Sequence, residues 1–249
     1  MQLAGKVCLI TGGTKGIGAA TAVELARQGA DIAIVGRHDD SDAAQVRRQV
    51  VALGRRCAMI VADVSRPDEA GACVQETARQ LGGVDVLVHS AGGPVPGSLM
   101  EIKPEDWFKA FDVHVHAVFF LCRAAVPLMQ KKKEGVIILI SSAAGKRALP
   151  VNACYQVVKG ALPQFARALA REFANDNIRV NVVAPGVIRT RFHAAMPEAV
   201  KKNNLENRIP LHREGAPEQV ATLIRELVAN DYITGETVSI DGGLTMRIA

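Results

Sequence analysis

The chain has 249 residues, of which 49% are hydrophobic, 22% charged and only 4% aromatic. That length suits one α/β domain, and the balance excludes a disordered or fibrous chain while leaving a core of Val, Ile, Leu and Ala, the usual filling of a buried parallel sheet. The net charge of +5 is spread along the chain, and its one run, Lys131–Lys133, is followed at once by Glu134. This reads as a solvated helix end, so neither a nucleic acid nor a membrane surface is expected as a partner. The five cysteines (Cys8, Cys57, Cys73, Cys122, Cys154) are odd in number, irregularly spaced and without a CxxC pair. They point to buried thiols in a reducing compartment, with no disulfide framework and no metal site. The chain opens on a strand pattern without a charged-then-apolar leader, and no apolar run looks long enough to span a bilayer. A cytoplasmic location is the expectation.

Short β-branched runs predict strands at Val7–Thr11, Ile32–Val35, Ala58–Ala62, Val84–His89, Val136–Ile140, Val180–Val183 and Thr237–Ile240. Amphipathic stretches between them predict helices near 17–28, 41–54, 67–81, 105–130, 153–174 and 217–229. Strands alternating with helices imply βαβ crossovers. The expected fold is therefore α/β, a Rossmann-type doubly wound parallel sheet of about seven strands with helices on both faces. No composition shift marks a second domain, so residues 1–249 read as one unit. The stretch 190–216 is polar, holds Pro197 and Pro210, and interrupts the alternation; it reads as an irregular substrate lid.

Between the first strand and first helix lies Thr11-Gly12-Gly13-Thr14-Lys15-Gly16-Ile17-Gly18. Glycines let the backbone approach a phosphate, and the following helix offers free N–H groups and the positive end of its dipole. The second strand ends at Val35-Gly36-Arg37, with no carboxylate at its tip. An acid there would bind ribose hydroxyls and repel a 2′-phosphate. Arg37 and Lys15 instead favour NADP(H), with NAD(H) the alternative because Asp39 and Asp40 follow closely. Tyr155 and Lys159 are four apart, on one face of a helix. An ammonium close to the phenol favours the phenolate and lowers its pKa from the ordinary value near 10, so the pair can move a proton. Ile140-Ser141-Ser142 ends a strand, which places a hydroxyl at the crevice where ligands bind in such sheets.

The T-G-x-x-x-G-x-G spacing, Ser142 thirteen residues before Tyr155, the Tyr155/Lys159 pair, Asn181-Val182-Val183-Ala184-Pro185-Gly186-Val187-Ile188-Arg189-Thr190, Gly215-Ala216-Pro217-Glu218 and Asp241-Gly242-Gly243 occur in order. Together they resemble the short-chain dehydrogenase/reductase family, and within it 3-oxoacyl-[acyl-carrier-protein] reductase-like members, from about residue 5 to 245. The resemblance implies a hydride transfer between a nicotinamide and a carbonyl or secondary alcohol. Tyr155 would be the acid/base, Ser142 would hold the substrate oxygen, and Lys159 would hold the nicotinamide ribose. It further implies cofactor contacts from Gly12, Thr14, Lys15, Gly16, Ile17, Gly18 and Arg37, and from Asp63 and Val64 on the adenine side. Ser90, Ala91 and Gly92 would follow the fourth strand; Tyr155, Lys159, Pro185, Gly186, Ile188 and Thr190 would lie on the nicotinamide side. Asp63 reads equally well as a helix N-cap. Homo-oligomers, usually tetramers built through the long helices, are implied as well.

Two positions depart from the family pattern. Ser90 stands where the family has Asn in Asn-Ala-Gly, and His114 stands where an Asn helps to hold a water next to the lysine. His114 either replaces that Asn in the proton relay or is a packed histidine beside the site. No G-x-S-x-G elbow is present, so a hydrolase pairing of His114 with Ser142 is excluded. Cys154 is expected to pack against the sheet. Phe192, His193, Met196 and Leu205 of the lid suggest a mixed apolar and polar pocket, compatible with a 3-oxoacyl thioester, a small ketone or a cyclic alcohol. Alternatives to an NADP(H) reductase are an NAD-linked alcohol or sugar dehydrogenase and a weakly catalytic dinucleotide-binding module acting as a sensor or assembly partner.

Overall fold

The computed structural model describes residues 1–148, 152–194 and 196–246. Among them, seven strands form one parallel sheet: β1 (Val7–Thr11), β2 (Asp31–Gly36), β3 (Cys57–Val61), β4 (Val86–His89), β5 (Gly135–Ile140), β6 (Ile178–Pro185) and β7 (Thr237–Ile240). Their order is β3-β2-β1-β4-β5-β6-β7, so the winding reverses between β1 and β4. The helices are α1 (Gly16–Arg27), α2 (Ser41–Ala52), α3 (Pro67–Leu81), α4 (Pro104–Phe111), α5 (Ala117–Lys132), α6 (Ala153–Glu172), α7 (Glu198–Asn203) and α8 (Pro217–Ala229). Asp40 caps α2 by accepting from the N–H groups of Asp42 and Ala43, and prolines start α3, α4 and α8, where a missing N–H costs nothing.

Alternation along each strand divides the core in two. Leu9, Val35, Leu87, Ile137 and Val182 face α3, α5 and α6. Ile10, Ile34, Val88, Ile138 and Val183 face α1, α2 and α8. Each fully buried Leu or Ile of these layers contributes about 1.5–3 kcal/mol. All five cysteines are free thiols, and four are buried, Cys57 being the partly exposed one.

Four expectations need correction. The fourth strand starts at Val86, not Val84: the Asp85 carboxylate instead accepts from the Val7 N–H at 2.8 Å and pairs with Lys132 at the foot of the sheet. The helix expected over 105–130 is broken into α4 and α5 by a π-helical turn, Asp112–His116. The lid is less irregular than its composition suggested. It holds a 3₁₀ turn (Arg191–His193), α7 and a second π-helical turn (Asn204–Arg208), while its Ala195 lies outside the described residues. Buried Asn204 organises this segment: its Oδ1 accepts from Arg208 at 2.7 Å and its backbone oxygen from the Ile209 N–H at 2.8 Å. Lastly, Pro104–Lys132 is by length and hydropathy sufficient to cross a bilayer, with a mean hydropathy of 1.4 over its most apolar window. In the fold its Ala117, Leu121, Cys122, Ala125 and Met129 are buried against the sheet and α3.

Candidate active site

The reversal between β1 and β4 opens a crevice at the carboxyl ends of the strands, the place where α/β sheets bind ligands. The glycine loop lies at its floor. Gly12 has a φ of +66°, and a Cβ there would come within 2.9 Å of the Ser90–Ala91 backbone; a Cβ on Gly18 would meet the Gly12 oxygen at 2.2 Å. The loop is thus shaped for backbone, without room for side chains. The start of α1 carries no side-chain cap and no acidic residue in its first turn, which leaves its N–H groups open to an anion. These residues fit a dinucleotide pyrophosphate. Thr14 packs below the tip of β2, where a Cβ on Gly36 would meet its Cγ2 at 2.9 Å.

Ser142, Tyr155 and Lys159 converge on the same end of the sheet. Ser142 follows β5, and its Oγ accepts from the Ala144 N–H at 3.1 Å while it is hydrogen-bonded to the Tyr155 phenol. Ser141, its neighbour, points away and donates to the Lys159 backbone oxygen at 2.7 Å. Lys159 is buried; its Nζ donates to the Ile140 oxygen at 2.8 Å and lies 5.8 Å from the centre of the Tyr155 ring. Burial lowers the ammonium from 10.5 to about 7. Burial also raises the Tyr155 phenol, with the Ser142 hydrogen bond opposing it. This direction is the reverse of the sequence expectation. Lys159 sits over the ring while bonded to a carbonyl, and desolvation of the phenolate outweighs the help available.

Two neutral histidines frame the site. Thr11 and His89 face each other across β1 and β4. The Ala91 N–H donates to Thr11 Oγ1 at 3.3 Å, the Thr11 hydroxyl to His89 Nδ1 at 2.9 Å, and His89 Nε2–H to the Val113 oxygen at 3.0 Å. This chain ties the loop after β4 to the π-helical turn. From that turn His114 reaches back, its Nε2–H donating to the Gly93 oxygen at 3.1 Å. The His114 ring meets Tyr155 edge-on at 5.9 Å, and its Nδ1 is buried with no hydrogen-bond partner among the described residues. Desolvation first, then the charge of Lys159, lowers His89 to about 3 and His114 to about 2. Gly92 is fixed by this packing: its φ is +142°, and a Cβ would lie 2.1 Å from His114 Cε1. His89 and Thr11 were not anticipated as site residues; two polar side chains ending adjacent apolar strands are the signal that could have found them.

Other predicted residues are placed differently from one another. Arg37 is exposed beside Asp63, whose carboxyl is lowered by hydrogen bonds from Ser65 and by the charge of Arg37, against burial, the largest influence, which raises it. Asp63 is not the cap of α3, a position held by Arg66; it accepts from the Ser65 N–H and hydroxyl in a local turn. Lys15 is not a free cation: its Nζ pairs with Asp40 at 2.9 Å and Asp42 at 3.2 Å. Val64 is buried in the core layer beneath α3, α5 and α6, and Ile17 packs against the opposite layer, beneath α1, α2 and α8. Ile188 is buried too, bridged to Gly215, so its side chain does not face the crevice, while Thr190 touches the glycine loop at Gly16. Pro185 ends β6, and the Gly186 N–H donates to the Ile240 oxygen at the end of the neighbouring β7, 3.0 Å away. Cys154 packs with Ala110, Trp107 and Val158, against α4 and not the sheet, because α6 turns that face towards α4. Of the four lid residues singled out, Phe192 contacts Tyr155, ring to ring at 5.9 Å. His193 donates to the Ile188 oxygen at 2.9 Å, and Met196 Sδ accepts from Asn204.

The chain matches the family model described as Enoyl-(Acyl carrier protein) reductase over residues 12–245. It is 36% identical to the 3-oxoacyl-[acyl-carrier-protein] reductase FabG of Thermotoga maritima, over 99% of this chain and 100% of that protein. Among solved structures it is similar to a short-chain type dehydrogenase/reductase from Mycobacterium marinum, with a TM-score of 0.92 and 33% identity over 99% of this chain and 98% of the other. It is also similar to a blue fluorescent protein from a metagenomic library in complex with NADPH, with a TM-score of 0.90 and 32% identity over 98% and 99% of the two chains. With the crevice, the glycine loop and the Ser142–Tyr155–Lys159 cluster on one sheet end, these matches establish that the chain belongs to the short-chain dehydrogenase/reductase family and is an oxidoreductase.

Proposed function

We propose that the protein is an NADP(H)-dependent carbonyl reductase whose substrate is a 3-oxoacyl thioester or a similar ketone. The observation that carries this reading is the Ser142–Tyr155 hydrogen bond beside buried Lys159. The bound nicotinamide supplies the hydride. The chain's own groups do the rest. The Ser142 hydroxyl and the Tyr155 phenol hold the carbonyl oxygen, and Tyr155 delivers its proton as the oxygen gains charge. Burial keeps the phenol protonated at neutral pH, the state an acid needs for reduction. Lys159 has one N–H on Ile140 and two more to hold the ribose, and its protonated form favours the phenolate left behind. His114 stays neutral, and its Nδ1 lone pair serves as an acceptor in the path that recharges Tyr155, so the imidazole takes part as a fixed hydrogen-bond partner and not as an imidazolium. Gly12, Thr14, Lys15, Gly16, Ile17 and Gly18 cradle the pyrophosphate side; Arg37, Asp63, Val64, Ser90, Ala91 and Gly92 line the adenosine side; Pro185, Gly186, Ile188 and Thr190 border the nicotinamide through their backbone and the Thr190 hydroxyl.

NADPH in the solved relative named above supports the 2′-phosphate reading. One observation favours the NAD-linked dehydrogenase instead: Asp40 and Asp42 hold Lys15, which leaves Arg37 to recognise a 2′-phosphate. We further propose a cytoplasmic homotetramer assembled through α4, α5 and α6, whose Phe108, Phe119 and Val157 are exposed. Tyr155→Phe tests the central claim. Turnover of a panel of 3-oxoacyl thioesters and ketones with NADPH is lost, while NADPH still binds by fluorescence titration; unchanged turnover would overturn it.

A further inference from the structure

We infer that Arg191, Asp42 and Lys15 form a clasp across the dinucleotide crevice, which opens each time the cofactor enters or leaves. The inference rests on the reading of that crevice as a dinucleotide site. Arg191 follows β6, and Asp42 lies in the first turn of α2, which follows β2. In the sheet order four strand spacings separate β2 from β6, about 19 Å. The short run from Pro185 to Arg191 must therefore cross the ends of β5, β4 and β1, over the point where the winding reverses. Thr190 marks the crossing: a Cβ on Gly16, in the glycine loop, would sit 3.3 Å from Thr190 Cγ2.

At the far side the guanidinium takes Asp42 with both nitrogens, at 2.7 and 3.1 Å. Lys15, from the glycine loop, takes the same carboxylate at 3.2 Å and Asp40 at 2.9 Å. Asp40 is itself fixed as the cap of α2. One carboxylate thus joins the lid, the glycine loop and the head of α2. A two-pronged arginine contact fixes direction as well as distance, so the lid's root is aimed as well as held. The groups remain solvent-accessible, with Arg191 74% and Asp42 21% exposed. Such a clasp is weak enough to open on each turnover and is sensitive to salt.

The test measures release. NADPH bound to the full-length protein is displaced by excess NADP⁺ in a stopped-flow instrument, and the fluorescence change gives the rate; the experiment is repeated with NADH. Arg191→Gln leaves Lys15 on its carboxylates, and Asp42→Asn keeps the helix start. Each is expected to speed release by about fivefold, and the double variant by no more than either alone. Raising NaCl from about 50 to about 500 mM accelerates release from the wild type more than from the variants, which keep only the salt dependence of the cofactor's own phosphate contacts. A residue with a merely structural role would lower the melting temperature without reducing the salt dependence. Wild-type release rates in both single variants, or additive effects in the double, would overturn the clasp while the cofactor reading stands. Failure of the wild type to bind either dinucleotide would overturn both.

Discussion

Replacing Lys159 by Met should stabilise the free protein while it removes turnover. The ammonium is buried, and its pKa falls from 10.5 in a solvated chain to about 7 in the fold. The fold therefore binds this proton more weakly than the unfolded chain does. Above pH 10.5 both states are neutral and the burial of Lys159 carries no charge penalty. As pH falls towards 7, the unfolded chain gains the proton first and the fold is destabilised; below pH 7 the penalty is fully present. At about 1.4 kcal/mol per tenfold difference in proton affinity, it reaches about 4 kcal/mol at pH 7. Methionine removes it but leaves the Ile140 oxygen without its donor, which costs about 1–2 kcal/mol. The net expectation is a variant more stable by about 2 kcal/mol at pH 7. Urea unfolding of both proteins without cofactor, at pH 7, 8 and 9, measures this. The advantage should shrink by about 1 kcal/mol from pH 7 to 8 and by about 1.3 kcal/mol from pH 8 to 9. A variant that is less stable at pH 7, or an advantage that does not change with pH, would refute the argument.

The frame around Tyr155 gives a second prediction. Gly92→Ala puts a methyl into the His114 ring and forces a strained φ, and should cost about 2–4 kcal/mol of stability by thermal or urea unfolding. Adding His114→Ala should recover the steric part, so the two effects are not additive. Arg37→Asp should weaken NADPH binding by about tenfold or more and leave NADH binding within about twofold, as read by titration of both cofactors; equal weakening of both would argue against a 2′-phosphate at Arg37. Because burial holds His114 at about 2, its substitution should leave no missing step in the pH profile of kcat/KM between about pH 5 and 9; loss of a step near pH 6–7 would show a titrating imidazole.

The sheet was legible because its strands are β-branched runs bounded by polar turns, and the observed β7 and β1 coincide with their predicted limits. The spacing of Ser142, Tyr155 and Lys159 was legible for a similar reason: a strand end and a helix face fix where those side chains go. The π-helical turn at Asp112–His116 was not, since an extra residue in a helix leaves no mark on an apolar pattern that runs on through α5. The partners of Lys15 were hidden as well, because they come from an adjoining connection and from the turn that caps α2. Asp39 and Asp40 read as acids near a cofactor, and only the fold shows that Asp40, together with Asp42, occupies the Lys15 cation. The direction of the Tyr155 shift required burial, which a sequence does not state.

The packing of the cysteines gives the molecule a practical property. Cys8 and Cys122 are sealed in the core, and desolvation lifts their thiols, Cys122 to about 12. Cys73 is held at about 12 and even partly exposed Cys57 at about 11. Cys154 is buried as well, with its thiol raised by desolvation; thiolate is the reactive form, so all five native thiols should react slowly with maleimides at neutral pH. A cysteine introduced on the exposed face of α7 would be the one fast-reacting thiol. The native sequence can therefore carry a single dye on the lid without first being stripped of its own cysteines.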